Sequence, residues 1–147
     1  MSYTQIYYHI VFSTKERRPV LRAQDREALF RYVWGLMENR NCRLYRINAV
    51  EDHVHILSGL HPSIALADFV KDIKVSTSMW IKENGLFPGF AHWQDGYGAF
   101  THSEAEKAVL VGYIRSQEEH HKTVSFIDEF KRILNEAGVK FEERFLG

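Results

Sequence analysis

Two histidines separated by one residue form the first group whose types and spacing suit chemistry. In the segment His53-Val54-His55, an extended strand would place both imidazole rings on one face and Val54 on the other, because side chains alternate along a strand. Two imidazoles on one face can bind a divalent metal ion together. The alternative is a pair of ordinary strand residues, since such triplets also arise by chance.

A tyrosine and a glutamine four residues apart form the second group. On one continuous helix, Tyr113 and Gln117 would lie on the same face, which puts a phenol next to an amide oxygen. The phenol is a candidate nucleophile for a phosphorus centre, and the amide oxygen is a candidate third metal ligand. Tyr113 also continues an apolar spacing that starts at Val109, so the alternative is a core residue.

Together the two groups predict metal-assisted cleavage of a phosphodiester. A phenol has a pKa of about 10 and attacks poorly at neutral pH, but a divalent ion on the phosphate polarises the P–O bonds. Two imidazoles, an amide oxygen and solvent or phosphate oxygens suit Mg²⁺ or Mn²⁺. A covalent tyrosine intermediate would conserve the phosphodiester energy for resealing. No general base for Tyr113 is evident in the sequence.

Histidines and acidic residues next to these groups are weaker candidates. Glu51 and Asp52 directly precede His53 and are candidate partners that orient its ring, and the alternative is a pair of solvated turn residues. His120 and His121 are expected near a helix C-terminus, where a cationic imidazole is favoured, and direct metal contact is the alternative. His9 is expected to be a hydrogen-bonded core histidine.

The elements that must position these residues follow the order β-α-β-β-α-β and then further helices. Four strands are predicted, over 5–13, 43–50, 53–60 and 99–102. Four helices are predicted as well. The first covers 22–40, the second runs from an N-cap at Ser63 to a stop at Asn84-Gly85, the third covers 104–122, and the fourth runs from Ser125 to Gly138. This order is typical of an α+β, ferredoxin-like fold: an antiparallel sheet with helices on one face, plus C-terminal helices. The 147 residues fit one domain over 1–147.

The charge distribution is compatible with nucleic acid although the net charge is zero. Residues 1–50 carry nine basic and four acidic side chains, which makes the N-terminal third a candidate phosphate-binding surface. The candidate DNA-binding residues are Lys15, Arg17, Arg18, Arg22 and Arg26. A solvated basic loop is the alternative.

Several classes of protein are disfavoured by composition. No apolar run approaches the roughly 18 residues of a membrane span, and the N-terminus has no signal-peptide pattern. The single cysteine, Cys42, cannot form an internal disulfide and suits a reducing cytoplasm. The sequence contains no glycine-rich phosphate-binding loop, so nothing in it favours a small regulatory protein that binds a metabolite.

Three segments of the sequence resemble one known family. His53-Val54-His55-Ile56-Leu57 resembles the HUH motif of the single-strand tyrosine transposases of small bacterial insertion sequences, the insertion-sequence-200-like transposases. The segment from Trp93 to Phe100 looks like the one that precedes their catalytic helix, and the segment from Tyr113 to His121 looks like that helix. The resemblance spans nearly the whole chain, from the first strand to the last helix.

The resemblance implies a DNA transposase that cleaves and rejoins single-stranded DNA through a 5′-phosphotyrosine on Tyr113. It implies metal ligands His53, His55 and Gln117, and recognition of DNA hairpins at the element ends. It also implies a homodimer in which the tyrosine helix of one subunit can complete the metal site of the other. Two alternatives stay open: a replication or conjugation nicking endonuclease, and a non-catalytic or domesticated hairpin-DNA-binding protein of the same fold.

Overall fold

Four strands form the antiparallel sheet of this computed structural model, which describes residues 3–121 and 124–142. They are β1 (Tyr7–Ser13), β2 (Leu44–Ala49), β3 (His53–Ser58) and β4 (Gly98–His102), and they lie in the order β2-β3-β1-β4. The two central strands are therefore β3 and β1, and the consecutive strands β2 and β3 pair as an antiparallel hairpin. This topology confirms the predicted ferredoxin-like α+β fold.

One face of the sheet is covered by the two longest helices, α1 (Ala23–Asn39) and α2 (Leu66–Glu83). The strands contribute alternate apolar side chains to this layer, and the helices contribute a stripe at helical spacing. The buried core contains Ile10, Phe12, Val54, Ile56, Leu29, Val33, Met37, Phe69 and Ile73. Among the described residues, no helix combines the length and the hydropathy that crossing a membrane requires.

The opposite face is covered by three shorter helices, α3 (Glu104–Arg115), α4 (Gln117–His120) and α5 (Phe126–Glu136). A capping box of Ser103 with Glu106 starts α3, as predicted. The Ser125 side chain accepts from the backbone of Asp128 at the start of α5. Gly138 then adopts a left-handed φ of 72° just beyond the end of α5, as its predicted stop position requires.

The prediction of one continuous helix over 104–122 is wrong. The helix is interrupted at Ser116, so Tyr113 and Gln117 belong to α3 and α4 respectively. The cause is Asn48 on β2, whose amide nitrogen donates to the carbonyls of Ile114 (3.0 Å) and Arg115 (3.2 Å). These carbonyls would accept bonds from the next turn in a continuous helix. The predicted end at residue 122 lies outside the described residues.

The start predicted for the second long helix is also wrong. Ala65, and not Ser63, is the N-cap of α2. The hydroxyl of Ser63 bonds instead with Nδ1 of His61 at 2.7 Å, so it has no contact with the helix terminus. Competition from a nearby side chain is a common reason why a serine fails to cap.

Candidate metal and nucleophile site

His53 and His55 lie on the sheet face that the three short helices cover. Both side chains are fully buried, and their ring centroids are 5.0 Å apart. Val54 points to the opposite face and joins the apolar core, as strand alternation predicts. The two imidazoles are thus side by side beneath α4 and α5.

A carboxylate from α5 is the centre of this cluster. Oε1 of Glu129 is 3.0 Å from Nε2 of His55, 3.1 Å from Nε2 of His121 and 3.5 Å from Nε2 of His53. The other oxygen, Oε2, is 3.0 Å from Nε2 of His120. Glu129 is fully buried, so its negative charge depends on these partners. Both His120 and His121 therefore face the cluster.

The second nitrogen of each central imidazole is held by its own partner. Nδ1 of His53 bonds with the carboxylate of Asp52 at 2.7 Å, which confirms the expected orienting contact. Nδ1 of His121 donates to the carbonyl of Val124 at 2.7 Å. Nδ1 of His55 bonds with Nε2 of His9 at 2.8 Å, and His9 is buried as predicted. All three rings are thereby turned so that Nε2 points at the same carboxylate.

Tyr113 reaches the cluster from the last turn of α3. Its hydroxyl donates to Oε2 of Glu129, and its ring centroid is 5.8 Å from that of His55. Nη2 of Arg132 lies 3.3 Å from the same phenolic oxygen. The tyrosine also lines an open pocket of about 570 Å³ that includes His102 and Arg132. The phenol therefore connects the buried cluster with the surface.

Burial and the central carboxylate shift the pKa values of the cluster in opposite directions. Burial lowers the pKa of His55 to about 4. Burial also opposes charge on His53, but hydrogen bonds to Asp52 and Glu129 outweigh it and raise its pKa. Burial raises the pKa of Tyr113, and the hydrogen bond to Glu129 raises it further. Glu129 keeps a lowered pKa because the surrounding imidazoles outweigh its burial.

Gln117 is fully buried at the start of α4. Its amide nitrogen is 3.5 Å from the carbonyl of Tyr113. Within the described part of the chain, its Oε1 has no hydrogen-bond partner. Buried acceptor atoms without donors fit a cation, because such atoms are otherwise costly. The residues of the site thus fit a divalent metal ion.

The predicted DNA-binding residues are spread around the end of β1. A short 3-10 turn, Lys15–Arg17, follows this strand, and Ser13 pairs with His53, so the turn lies at the same end of the sheet as the cluster. Arg18 is exposed there and contacts Glu16 at 3.3 Å.

The two arginines near the start of α1 are bound within the protein. Arg22 forms a 2.7 Å ion pair with Asp25. Arg26 is buried, and its guanidinium donates to the carbonyl of Leu21 and to Glu118. This arrangement disfavours a phosphate contact by Arg26, whereas Arg22 is exposed despite its ion pair and stays a candidate with Lys15, Arg17 and Arg18.

The segment between Trp93 and Phe100 supports the basic turn. The indole of Trp93 is buried and donates to the hydroxyl of Thr77 at 2.9 Å. The side-chain oxygen of Gln94 accepts from the backbone of Glu16 at 2.9 Å. The segment therefore links α2 with the turn that follows β1.

Glu129 is the site residue that the sequence analysis missed. It lies three residues after Phe126 and four before Ile133, on the apolar side of α5. An acidic residue on an otherwise apolar helix face is the one local signal that marked it, because such positions rarely hold an unpaired charge.

Comparison with known proteins gives one consistent family. The family described as transposase IS200-like matches residues 2–117 of this chain. The transposase for insertion sequence element IS200 of Salmonella typhimurium is 28% identical over 120 residues, which cover 78% of each protein. The ISDra2 transposase TnpA of Deinococcus radiodurans is 28% identical over 118 residues, which cover 77% of this chain and 84% of that protein.

Solved structures resemble this fold as well. A Deinococcus radiodurans protein assigned as a transposase superposes with a TM-score of 0.62 at 25% identity, over 80% of this chain and 95% of that one. A REP-associated tyrosine transposase bound to a REP hairpin superposes with a TM-score of 0.59 at 16% identity, over 84% of this chain and 76% of that one. The second likeness concerns the fold alone.

Proposed function

Since this chain belongs to the IS200-like transposase family, we propose that it cleaves and rejoins single-stranded DNA at the ends of a mobile element. The observation that carries the proposal is the convergence of Tyr113, His53 and His55 on one buried carboxylate within one chain. A nucleophile and a pair of metal-binding nitrogens are the parts that phosphodiester transfer by a tyrosine needs. A DNA substrate also implies the cytoplasmic location that the lone cysteine predicts.

The proposed metal ligands are His53, His55 and Gln117, with Mg²⁺ or Mn²⁺ as the ion. The unpartnered Oε1 of Gln117 and the closeness of the two imidazole rings support this set. A divalent ion held there would polarise the P–O bonds of the scissile phosphate and offset the charge that develops on it. Asp52 orients the ring of His53 through Nδ1, which leaves the other nitrogen directed into the site.

In the proposed reaction, the phenolic oxygen of Tyr113 forms a bond to phosphorus, and the bond from phosphorus to the 3′ oxygen breaks. The products are a 5′-phosphotyrosine and a free 3′ hydroxyl, so the energy of the phosphodiester is kept for rejoining. The carboxylate of Glu129 accepts the phenol's hydrogen bond and so orients the nucleophile, and the phenolic proton ends on the departing 3′ oxygen, which leaves as a hydroxyl. Arg132 next to the phenolic oxygen is placed to hold the phosphate.

The DNA strand is expected to approach from the pocket that Tyr113 and Arg132 line. Phosphates further along the strand would then meet Lys15, Arg17 and Arg18 at the end of the sheet. The imidazoles are fully buried, so a phosphate reaches them only after α5 shifts. Hairpin ends are the proposed recognition element, in keeping with the hairpin bound by the REP-associated neighbour.

We expect the protein to act as a homodimer in which each subunit uses its own tyrosine. The short distance between the rings of Tyr113 and His55 in one chain supports this arrangement. Mixing Tyr113→Phe with His55→Ala subunits tests it, because a site shared between subunits would regain activity in the mixed dimer. We expect no recovery, and recovery to about a quarter or more of the wild-type rate would indicate sharing.

A covalent adduct is the direct test of the proposed function. A hairpin-bearing oligonucleotide labelled at its 3′ end is incubated with the protein and Mn²⁺ and run on a denaturing gel. We expect the 3′ label to migrate with the protein, and a 5′ label on the same strand to be released as a shorter fragment.

Tyr113→Phe and a chelator should each abolish this adduct, because both remove a required part of the reaction. Tyr32→Phe on α1 is the matched control, since that ring stacks on Trp80 away from the site. Cleavage by Tyr113→Phe at the wild-type rate would show that another nucleophile acts. Hairpin binding without any adduct and without any effect of metal would favour the non-catalytic alternative.

A further inference from the structure

We propose that His53, His55, His121 and Glu129 form a four-ligand site for a transition-metal ion, and that this site loads in the absence of DNA. The inference deepens the proposed function, on which it rests, because it shares His53 and His55. It changes the ligand set, since half of the donors come from the segment after residue 117, where the family match ends.

The four donor atoms lie close enough together to converge on one ion. Nε2 of the three histidines and one carboxylate oxygen all lie within 4.8 Å of one another. The carboxylate oxygen is 3.0, 3.1 and 3.5 Å from the nitrogens of His55, His121 and His53. A tetrahedral ion with bonds of about 2.0–2.2 Å has donors about 3.3–3.6 Å apart. The distances to the carboxylate oxygen are near these values, and the donor pairs that lie up to 4.8 Å apart would move closer together when the ion binds.

The hydrogen bonds at the far side of the rings fix which nitrogen faces the carboxylate. Nδ1 of His53 meets a carboxylate oxygen of Asp52, and Nδ1 of His121 meets a backbone carbonyl, at 2.7 Å in each case. Both partners only accept hydrogen bonds, so Nδ1 must carry the proton in both rings. Nε2 of each neutral ring is then a bare lone pair, which is the form that binds metal.

A metal ion would fit the point on which these rings converge. The ring centroids of His53 and His121 are 4.4 Å apart, and both rings direct Nε2 at the same oxygen of Glu129. One divalent ion at that point would contact all four donors and offset the charge of the buried carboxylate.

The donor set selects the class of ion. Three imidazoles and one carboxylate suit Zn²⁺, Mn²⁺, Fe²⁺ or Co²⁺, because nitrogen ligands favour these ions. Mg²⁺ prefers an octahedral shell of oxygens and keeps most of its waters. The resting protein should therefore discriminate strongly against Mg²⁺.

Cobalt binding to the full-length, metal-stripped protein without DNA tests the proposal. Co²⁺ is titrated and followed by equilibrium dialysis and by its visible d–d absorption, which is much more intense for four-coordinate than for six-coordinate cobalt. We expect one Co²⁺ per chain with the intense spectrum, displacement by Zn²⁺, and no displacement by a large excess of Mg²⁺.

Single substitutions identify the donors. His121→Ala and Glu129→Gln should each weaken Co²⁺ binding by at least about tenfold, whereas the matched controls His61→Ala and Glu136→Gln should bind as the wild type does. Glu129→Asp covers the case in which Glu129→Gln fails to fold: it keeps a carboxylate and should bind Co²⁺ with an altered spectrum. Circular dichroism on every variant separates lost ligands from lost structure.

Wild-type affinity in folded His121→Ala and Glu129→Gln would overturn the inference. Loss of binding in Gln117→Ala, together with the weak six-coordinate spectrum, would overturn it in favour of the ligand set given by the family resemblance. Either outcome leaves the proposed function intact, because that function fails only if the covalent adduct on Tyr113 is absent. The cobalt titration and the adduct assay therefore test the two proposals separately.

Discussion

The two faces of the sheet differ in chemistry, although the same strands build both. Toward α1 and α2, the central strands present side chains such as Val54 and Ile56 to an apolar core. Toward α3–α5, the same strands present His9, His53 and His55 to a buried polar cluster. The alternation of side chains along a strand makes this division possible, so neighbouring residues in one strand serve stability and chemistry separately.

The polar face of the sheet needs specific partner residues from the helices that cover it, whereas the apolar face does not. Apolar side chains gain free energy from burial alone, whereas buried imidazoles and carboxylates must find partners. Glu129 on α5 provides that partner for the histidines. Substitutions on the polar face should therefore affect the reaction and metal binding most, and those on the apolar face should affect the free energy of unfolding most.

The largest expected effect is that of His55→Ala on the polar face. We expect the rate of adduct formation to fall by at least about 10³-fold, because a central ligand of the site is lost. Glu129 keeps His53 and His121 as partners, but buried His9 loses its bond to this ring, so a moderate fall in the melting temperature is expected beside the much larger loss of rate. Single-turnover cleavage and thermal unfolding on the same preparation measure both effects. Retained cleavage would contradict the claim that the polar face of the sheet carries the chemistry.

Ile56→Ala on the apolar face should reduce stability strongly and leave the reaction almost unchanged. Ile56 is 1% exposed, so its truncation should lower the free energy of unfolding by about 2–5 kcal/mol. Adduct formation per folded molecule should stay near the wild-type value. Urea unfolding measures the loss, and Val109→Ala, at a position that is 77% exposed on α3, is the control with a change within about 0.5 kcal/mol.

Gly98→Ala tests how closely α5 must approach the sheet. A Cβ atom at Gly98 would lie 2.6 Å from Cε1 of Phe130 on α5, so α5 must shift or the ring must turn. We expect a loss of about 1–3 kcal/mol in the free energy of unfolding, together with weaker Co²⁺ binding because Glu129 moves with its helix. Gly112→Ala on α3 meets nothing within 4 Å and should not destabilise the protein. Unchanged Co²⁺ affinity in Gly98→Ala would show that α5 does not position the site.

The smallest expected effect is that of Asn48→Ala. Its amide holds the carbonyls of Ile114 and Arg115 at the end of α3, and losing these bonds should cost about 1 kcal/mol. Because Tyr113 lies in that last turn, cleavage should also slow. Asn84→Ala removes a comparable bond, to the carbonyl of Trp80 at the end of α2, and should reduce stability without slowing cleavage. Equal cleavage rates in both variants would show that Asn48 does not position the tyrosine.

Local sequence patterns predicted the order of the elements and the facing of the histidines. Periodicity places His53 and His55 on one face of a strand, and the capping box at Ser103 starts the helix that carries Tyr113. These features are encoded within a few residues, because strand alternation and helix capping are local properties of the backbone. The sequence alone therefore indicated the nucleophile candidate, the imidazole pair and the ferredoxin-like topology.

Tertiary packing alone decided the partners of these residues. Glu129 contacts His55 across a separation of 74 residues, and Asn48 interrupts the helix after Tyr113 across 66. Neither contact follows from periodicity, since each depends on how α5 and β2 pack against the rest of the chain. A charge on an apolar helix face shows that a partner is needed, and only the folded chain identifies four histidines as the partners of Glu129.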